Sequence, residues 1–299
     1  MKQLRHFLRF FDWTKAELLN VSHLAERMKK HPWRWSRSLK HKTLLMLFAK
    51  PSLRTRLSFE VAMLELGGHA IFYDISTSPL GHKESIEDGA RVSSLYVDAI
   101  MARLYEHEAI ETFADHSRVP VINGLTNMFH PCQILGDFLT IKELFGRHDV
   151  KIAYVGDGFN NITHSLMELS MKFGADLSVA CPMKKGMMPD AELVRMTGTR
   201  VTSMEEACAD ADIIYTDTWQ SYHVTDKEMP ARRKLLQAYQ VNKKTFNPKA
   251  YFMHCLPAKR GEEVTADIID GPRSVVLRQA DNRKHIEKAI LYTLLKRRW

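Results

Sequence analysis

The stretch TLLMLFAKPSLRTR, residues 43–56, decides the fold of this chain. Residues 43–48 form a short, continuous apolar run, which is the pattern of a fully buried strand. Residues 49–51 break that run, and apolar side chains then recur at helical spacing as far as the glycine pair at 67–68. Ser52–Arg56 therefore lie where a buried strand gives way to the N-terminus of a helix.

A junction of this kind favours an anion, because free backbone N–H groups and the helix dipole both point towards it. Residues 52–56 add two hydroxyls and two guanidinium groups, and arginine offers a two-pronged hydrogen-bond fork to phosphate oxygens. The alternative is a solvated helix start in which Ser52 acts only as an N-cap. The flanking strand and helix favour the phosphate site.

Bulk composition is that of an ordinary globular chain. The 299 residues are 45% hydrophobic and 26% charged, which allows one large domain or two of usual size. No apolar run approaches the ~20 residues of a membrane span, and the N-terminus lacks a signal-peptide core. The cysteines at 132, 181, 208 and 255 form no C-x-x-C pair. This spacing predicts a reduced, cytoplasmic setting without a zinc site or a disulfide framework.

The positive charge of the chain is concentrated at one end. Residues 1–42 hold 11 Lys and Arg against three Asp and Glu, a local balance equal to the +8 of the whole chain. No nucleic-acid-binding motif accompanies this segment. We interpret it as a solvated face that helps to attract anions, with RNA binding as the alternative.

Strand-like apolar runs alternate with helical ones along the chain, which predicts parallel sheets covered by helices on both faces. The predicted strands are 43–48, 70–73, 99–102, 119–122, 151–155, 177–180, 213–215 and 251–253. A polar break at 146–149 predicts a boundary between two domains. We expect an α/β fold of two doubly wound parallel-sheet domains joined by interdomain helices. The first covers 1–145 and is completed by the C-terminal helix 280–299, and the second covers 146–279.

Polar or reactive residues follow most of the predicted strands, at the carboxyl edge where doubly wound sheets bind ligands. They are Arg103, His130 with Gln133, Gly156–Asn161, Asp217–Ser221 and His254–Cys255. Each has a plain structural explanation on its own, such as a helix cap or a buried thiol. The glycines at 156 and 158 lack the third glycine of a dinucleotide fingerprint, so we expect no NAD. The joint placement of these residues favours a functional site.

These stretches resemble the motifs of the aspartate and ornithine carbamoyltransferase family. PSLRTRLSFE at 51–60 is similar to the family's carbamoyl-phosphate motif S-T-R-T-R-x-S-F-E, and HPCQ at 130–133 resembles its H-P-x-Q motif. HCLP at 254–257 and GDGFNN at 156–161 resemble stretches that mark the ornithine branch. The resemblance runs from about residue 5 to about residue 295.

The resemblance implies transfer of the carbamoyl group of carbamoyl phosphate to the side-chain amine of L-ornithine. The products would be L-citrulline and phosphate, within arginine metabolism. A homotrimer or a multiple of trimers is also implied, without a metal, another cofactor or a covalent enzyme intermediate. Neither nucleic acid nor a membrane is expected as a partner.

The resemblance also assigns roles to residues at matching positions. Carbamoyl phosphate is expected to bind Ser52, Leu53, Arg54, Thr55, Arg103, His130, Pro131, Cys132, Gln133, Cys255, Leu256 and Arg283. Ornithine is expected to bind Asn161, Asp217, Ser221 and Tyr222. The residues expected to carry catalysis are Arg103 and His130, which would polarise the carbonyl oxygen, and Asp217 with Cys255, which would orient the amine.

The chain departs from the family pattern at three places. Leu53 replaces a usual Thr, and Pro79 replaces a Gln that in the family reaches a neighbouring subunit's site. Tyr222 and His223 stand where the ornithine loop usually has Met and Gly. This last change leaves putrescine or an N-acylated ornithine open as the acceptor, although the carboxylate and amide expected there favour a free α-amino acid. A catalytically idle binding paralogue is a second alternative.

Overall fold

The structure is a computed structural model that describes residues 4–77, 80, 83–221 and 224–296. The expected ornithine residue Tyr222, like the departures at Pro79 and His223, lies outside the described residues. The chain divides into two compact units, one of residues 1–139 with 281–299 and one of residues 140–280. Both boundaries fall inside helices.

The first unit contains a four-stranded parallel sheet in the order β2-β1-β3-β4. Its strands are β1 (Thr43–Phe48), β2 (His69–Asp74), β3 (Ala99–Arg103) and β4 (Val121–Leu125). Its helices are α1 (Lys15–Lys30), α2 (Leu53–Glu65), α3 (Ile86–Ser93), α4 (His107–His116) and the first part of α5 (Pro131–Phe145). The edge of β4 is extended by Phe7, whose N–H donates to the Val121 carbonyl at 2.8 Å.

The second unit contains a five-stranded parallel sheet in the order β7-β6-β5-β8-β9. Its strands are β5 (Lys151–Val155), β6 (Asp176–Ala180), β7 (Arg200–Val201), β8 (Ile213–Tyr215) and β9 (Tyr251–Met253). Its helices are α6 (Asn161–Phe173), α7 (Ala191–Thr197), α8 (Met204–Cys208), α9 (Met229–Leu236), α10 (Ala266–Ile269) and the start of α11 (Val276–Lys296).

Side-chain caps fix where the main helices begin. Thr14 and Glu17 form a capping box at α1, as their spacing predicts. Ser52 caps α2 and Asn160 caps α6, each directly after the turn that follows a central strand. These two caps place both helix N-termini at the carboxyl edges of the sheets.

The strand order reverses beside the first strand of each unit. In the first sheet β1 lies between β2 and β3, and Phe48 at its end pairs with Arg103. In the second sheet β5 lies between β6 and β8, and Tyr154 pairs with Tyr215. Ligands bind at such reversal points in doubly wound sheets. The loops after β1 and β3, and those after β5 and β8, are therefore the candidate ligand-binding loops.

The expected fold class, two parallel-sheet domains of alternating strands and helices, is confirmed. Each predicted strand is present, although the fourth starts two residues later than predicted and extends to Leu125. The two-residue strand β7 was not predicted, because a run that short carries no readable period. None of the described helices is both long and apolar enough to cross a membrane.

Candidate active site

The N-terminus of α2 carries a pair of hydroxyls. Ser52 Oγ accepts a hydrogen bond from the Thr55 backbone N–H at 3.4 Å and donates one to Thr55 Oγ1 at 3.1 Å. Leu53, at the first helical position, turns its side chain outward and leaves it 72% exposed. Ser52 is therefore an N-cap, and its cap role places it beside a second hydroxyl rather than excluding a phosphate.

Two arginines converge on the Thr55 hydroxyl. Arg103 Nη1 donates to Thr55 Oγ1 at 3.3 Å, and Arg283 Nη2 donates to the same oxygen at 3.4 Å. Arg103 reaches it because β3 ends beside β1 in register, and Arg283 reaches it from α11. The helix start therefore has guanidinium groups from two other elements within hydrogen-bond distance, a combination suited to an oxyanion.

His130 lies immediately before α5 and is buried. Burial lowers its pKa well below the usual value, and the charges of Arg283, Arg103 and Arg54 lower it further. Its imidazole is therefore neutral at physiological pH. A neutral imidazole can hydrogen-bond a carbonyl group without adding a further positive charge.

Two expected site residues in the first turn of α5, Gln133 and Cys132, make different contacts. Arg283 Nη1 donates to Gln133 Oε1 at 3.1 Å, and the Gln133 amide donates in turn to Asp137 Oδ1 at 2.9 Å. Gly136 lies at this approach of the two helices, and a Cβ added there would lie 3.1 Å from the Arg283 Cα, a tight contact. Cys132 instead donates to the Asn123 carbonyl at 3.4 Å, and burial raises its pKa well above the usual value.

In the second unit, Asp217 is the centre of a hydrogen-bond network. Its Oδ1 accepts from Cys255 Sγ at 2.9 Å, and its Oδ2 accepts from Asn160 Nδ2 at 3.2 Å. Asp217 follows β8 and Cys255 follows β9, the neighbouring strand. The structure thus brings together the acid and the thiol that sequence reasoning paired.

Ser221 connects this network to a buried ion pair. Asn160 Nδ2 also donates to Ser221 Oγ at 3.2 Å, and Ser221 Oγ donates to Asp157 Oδ2. Asp157 is fully buried and pairs with Arg232 Nη2 at 2.5 Å. Burial raises the pKa of Asp157 to about 6, while Arg232 and Ser221 partly offset that rise. The segment after β8 is therefore tied to the turn after β5.

Asn160 is a candidate site residue to which the sequence analysis assigned no role. Asn161 was expected to bind ornithine, and it lies buried at the first position of α6. The amide that reaches Asp217 and Ser221 belongs to its neighbour Asn160, whose carbonyl oxygen also caps α6 through the Ile162 N–H at 2.7 Å. The preference for Asn at the N-cap points to this pair of residues but does not distinguish Asn160 from Asn161.

After β9, the two ring nitrogens of His254 contact two later residues of the chain. Its Nδ1 accepts from the Leu256 N–H at 2.8 Å, and its Nε2 lies 3.3 Å from Glu263 Oε1. Leu256 adopts a positive φ of 58°. Potential ligand atoms of Asp217, His254 and Cys255 lie within 4.8 Å of one another, as in a metal site. Both nitrogens of His254 are already engaged, so this set fits a metal poorly.

Comparisons with known proteins agree with this geometry. Residues 5–143 match the carbamoyl-P binding domain model of the aspartate/ornithine carbamoyltransferases, and residues 148–294 match the Asp/Orn binding domain model of the same enzymes. The anabolic ornithine carbamoyltransferase of Pyrococcus furiosus is 46% identical over 303 residues, covering 96% of this chain and 95% of that protein. The catabolic ornithine carbamoyltransferase of Halobacterium salinarum is 44% identical, covering 98% and 99% respectively.

A solved structure gives the same result in three dimensions. The structure of ornithine carbamoyltransferase from Pyrococcus furiosus superposes with a TM-score of 0.91 at 45% identity, covering 99% of this chain and 98% of that one. Two domain models that together span nearly the whole sequence, and relatives of this identity, leave one assignment. The chain belongs to the aspartate/ornithine carbamoyltransferase family.

Proposed function

We propose that this enzyme transfers the carbamoyl group of carbamoyl phosphate to the side-chain amine of L-ornithine, giving L-citrulline and phosphate. The observation that carries the proposal is the Thr55 hydroxyl, which receives both Arg103 and Arg283 at the N-terminus of α2. Such an arrangement suits a phosphate that becomes more negative as it leaves. We assign the first unit to carbamoyl phosphate and the second to ornithine.

On the carbamoyl-phosphate side, Ser52, the Leu53 N–H, Arg54 and Thr55 would hold the phosphate. Arg103 and the neutral His130 would donate to the carbonyl oxygen, where charge develops in the tetrahedral intermediate. Further roles follow from the family resemblance: Gln133 and the Leu256 carbonyl would bind the carbamoyl amino group, and Arg283 would bind phosphate. The resemblance also places Pro131, Cys132 and Cys255 among the residues that bind carbamoyl phosphate.

On the acceptor side, the reaction requires a neutral amine. A free alkyl amine has a pKa of ~10.4 by comparison with lysine, so it is mostly protonated at neutral pH. The Asp217–Cys255 pair would orient that amine, and Asn161, Asp217, Ser221 and Tyr222 would hold the amino-acid end. The observed contacts add Asn160 to this set, because its amide fixes both Asp217 and Ser221. Positioning and electrostatics would supply the rate enhancement.

The decisive experiment is a colorimetric assay of carbamoylated product with L-ornithine, putrescine and N-acetyl-L-ornithine as separate acceptors. We expect turnover with L-ornithine to exceed turnover with either alternative by at least tenfold. Asp217→Asn should reduce that preference if Asp217 recognises the α-amino group. Faster turnover of putrescine than of ornithine would contradict the acceptor assignment, and no turnover with any amine would favour an idle binding protein.

We also propose that the enzyme is a homotrimer or a multiple of trimers. Support comes from apolar side chains left exposed on the first unit, including Leu53 and Leu64 of α2 and Tyr73 of β2. β2 is moreover an edge strand of its sheet, and an edge strand has unpaired backbone groups that can pair with another chain. Light scattering coupled to gel filtration should give three times the 34.5 kDa chain mass, or a multiple of that value. A monomer would contradict this proposal.

We place the enzyme in the cytoplasm and in arginine biosynthesis. The four cysteines are all free thiols, which suits a reducing compartment. The related proteins include both an anabolic and a catabolic form, so the test of direction is whether citrulline formation is favoured kinetically over citrulline phosphorolysis.

Nucleic acid is not a proposed partner, because several of the N-terminal cations are used internally. Arg5 pairs with Glu17 at 3.1 Å, Lys42 pairs with Asp98 at 2.5 Å, and the Arg9 guanidinium lies 4.4 Å from the centre of the Phe129 ring. A salt-dependent gel shift with RNA would contradict this assignment.

A further inference from the structure

Glu287 is a fully buried carboxylate one helical turn beyond Arg283 on α11. Its Oε1 lies 3.3 Å from Arg283 Nε. Neither carboxylate oxygen accepts a hydrogen bond of ordinary geometry from a described residue. A buried carboxylate is costly unless it is paired and well hydrogen-bonded, so the position of Glu287 beside a proposed phosphate-binding arginine calls for an explanation.

The groups that act on this carboxyl come from three helices. Arg283 faces it on α11 itself, the Ser58 hydroxyl approaches it from α2, and the Cys132 thiol faces it from α5. Burial raises the pKa of Glu287 to about 7, and Arg283 and Ser58 lower it by less than burial raises it. Glu287 can therefore change its charge in the physiological range.

Arg283 is shared between Glu287 and the proposed phosphate site. Its Nη2 donates to Thr55 and Ser58, and its Nη1 donates to Gln133, while its Nε faces Glu287. An anion bound at Thr55 would place a second negative charge on the same buried guanidinium. Two anions around one cation, away from water, raise the proton affinity of the carboxyl group.

We propose that ionised Glu287 is the counter-ion of Arg283 in the free enzyme and takes up a proton when an anion binds at the N-terminus of α2. The neutral acid would release the charge of Arg283 to the bound phosphate group. Glu287 is then a positioning residue that acts through Arg283 and couples carbamoyl-phosphate affinity to pH. This inference rests on the proposed phosphate site.

The size of the pH effect on anion affinity follows from the pKa of Glu287. If only the enzyme with a protonated Glu287 binds the anion tightly, a carboxyl with a pKa of about 7 weakens binding about tenfold between pH 6 and pH 8. The neighbouring groups do not obscure this change. The pKa of His130 is lowered well below 6.5 and that of Cys132 is raised well above 9.0, so neither changes charge over this interval.

The test is calorimetric titration with sulfate, an anion whose charge is constant over this pH range. Wild type, Glu287→Gln and Glu65→Gln are compared at pH 6, 7 and 8. Glu65 is the matched control, because it also pairs with α11, through Lys284 and Lys288, but is partly exposed and its pKa is lowered. Titrations in two buffers of different ionisation enthalpy count the protons taken up.

We expect sulfate affinity to fall about tenfold from pH 6 to pH 8 in wild type and in Glu65→Gln, as the pKa of about 7 requires. Glu287→Gln should keep the wild-type pH 6 affinity throughout. Wild type should take up close to one proton at pH 8 and Glu287→Gln none. The wild-type proton count decides the matter even if Glu287→Gln does not fold.

Three outcomes would overturn the inference: no proton uptake by wild type at pH 8, an unchanged pH dependence in Glu287→Gln, or loss of sulfate binding at every pH by Glu287→Gln that has folded, as shown by a thermal melt like that of wild type. Because these titrations need no turnover, they separate this inference from the proposed reaction. Proton-linked sulfate binding by an enzyme that makes no citrulline would support the role of Glu287 and contradict only the proposed function.

Discussion

Cys255 Sγ donates to Asp217 Oδ1 across 2.9 Å, so the thiol and the carboxylate form one hydrogen-bonded pair. The register of the second sheet explains their meeting. Tyr215 at the end of β8 pairs with Met253 at the end of β9. Asp217 and Cys255 each lie two residues beyond these strand ends. A change at either residue should therefore affect the acceptor site through the other.

Cys255→Ser should raise KM for ornithine several-fold and lower kcat moderately. A hydroxyl is smaller than a thiol and would hold Asp217 in a different position, while the arginines of the first unit are untouched. KM for carbamoyl phosphate should stay within twofold of wild type. Initial-rate kinetics with each substrate varied in turn checks this. A selective loss of carbamoyl-phosphate affinity would reverse the role assigned to Cys255.

Arg103→Lys should reduce kcat by about a hundredfold, the usual cost of losing one donor to a developing oxyanion. Lysine keeps the charge but loses the fork, which has one nitrogen on Thr55 and would leave others for the substrate. Arg91→Lys, on the exposed pair with Asp88, is the matched control and should keep wild-type kcat. Retained activity in Arg103→Lys would show that the fork is dispensable.

The sequence predicts the site residues that directly follow strands, because parallel strands present their carboxyl ends at one edge. The positions of Arg103 and Asp217 at the sheet edges are predictable from the sequence in this way, and the structure brings each to the neighbours that sheet register requires. The choice between Asn160 and Asn161 could not be made, because it depends on which of two adjacent residues takes the N-cap conformation.

Glu287 could not be found from sequence for a different reason. An Arg and a Glu four residues apart on a helix are the pattern of a solvent-exposed ion pair. Here the same spacing is buried, where α5 packs against α11 with Gly136 next to Arg283. Burial of this kind depends on the packing of three helices that are distant in sequence.

Asn160 should contribute to both stability and acceptor binding, and two substitutions separate these roles. Asn160→Ala removes the cap of α6, at a cost of about 1 kcal/mol, and removes the amide that donates to Asp217 and Ser221. Asn160→Ser restores a cap but not the amide. We expect near-wild-type thermal stability for Asn160→Ser, with KM for ornithine raised as much as in Asn160→Ala.

These measurements need only thermal melts and initial rates on the two variants. An unchanged KM for ornithine in Asn160→Ser would restrict Asn160 to its structural role as a cap. The assignment of the acceptor site would then rest on Asn161 rather than on its neighbour.

The raised pKa of Glu287 also predicts how stability depends on pH. An unfolded glutamate ionises near pH 4.5, whereas folded Glu287 holds its proton up to about pH 7. Between these values the folded state binds more protons than the unfolded state, so this group makes stability fall as pH rises. Glu287→Gln removes this pH-dependent contribution to stability. Relative to wild type, the variant should therefore gain about 2–3 kcal/mol in unfolding free energy between pH 5 and pH 8.

Urea unfolding of both proteins at the two pH values measures the difference. In Glu65→Gln, whose wild-type carboxyl has a lowered pKa, the difference from wild type should be the same at both pH values. A pH-independent difference in Glu287→Gln would mean that Glu287 is already ionised at pH 5.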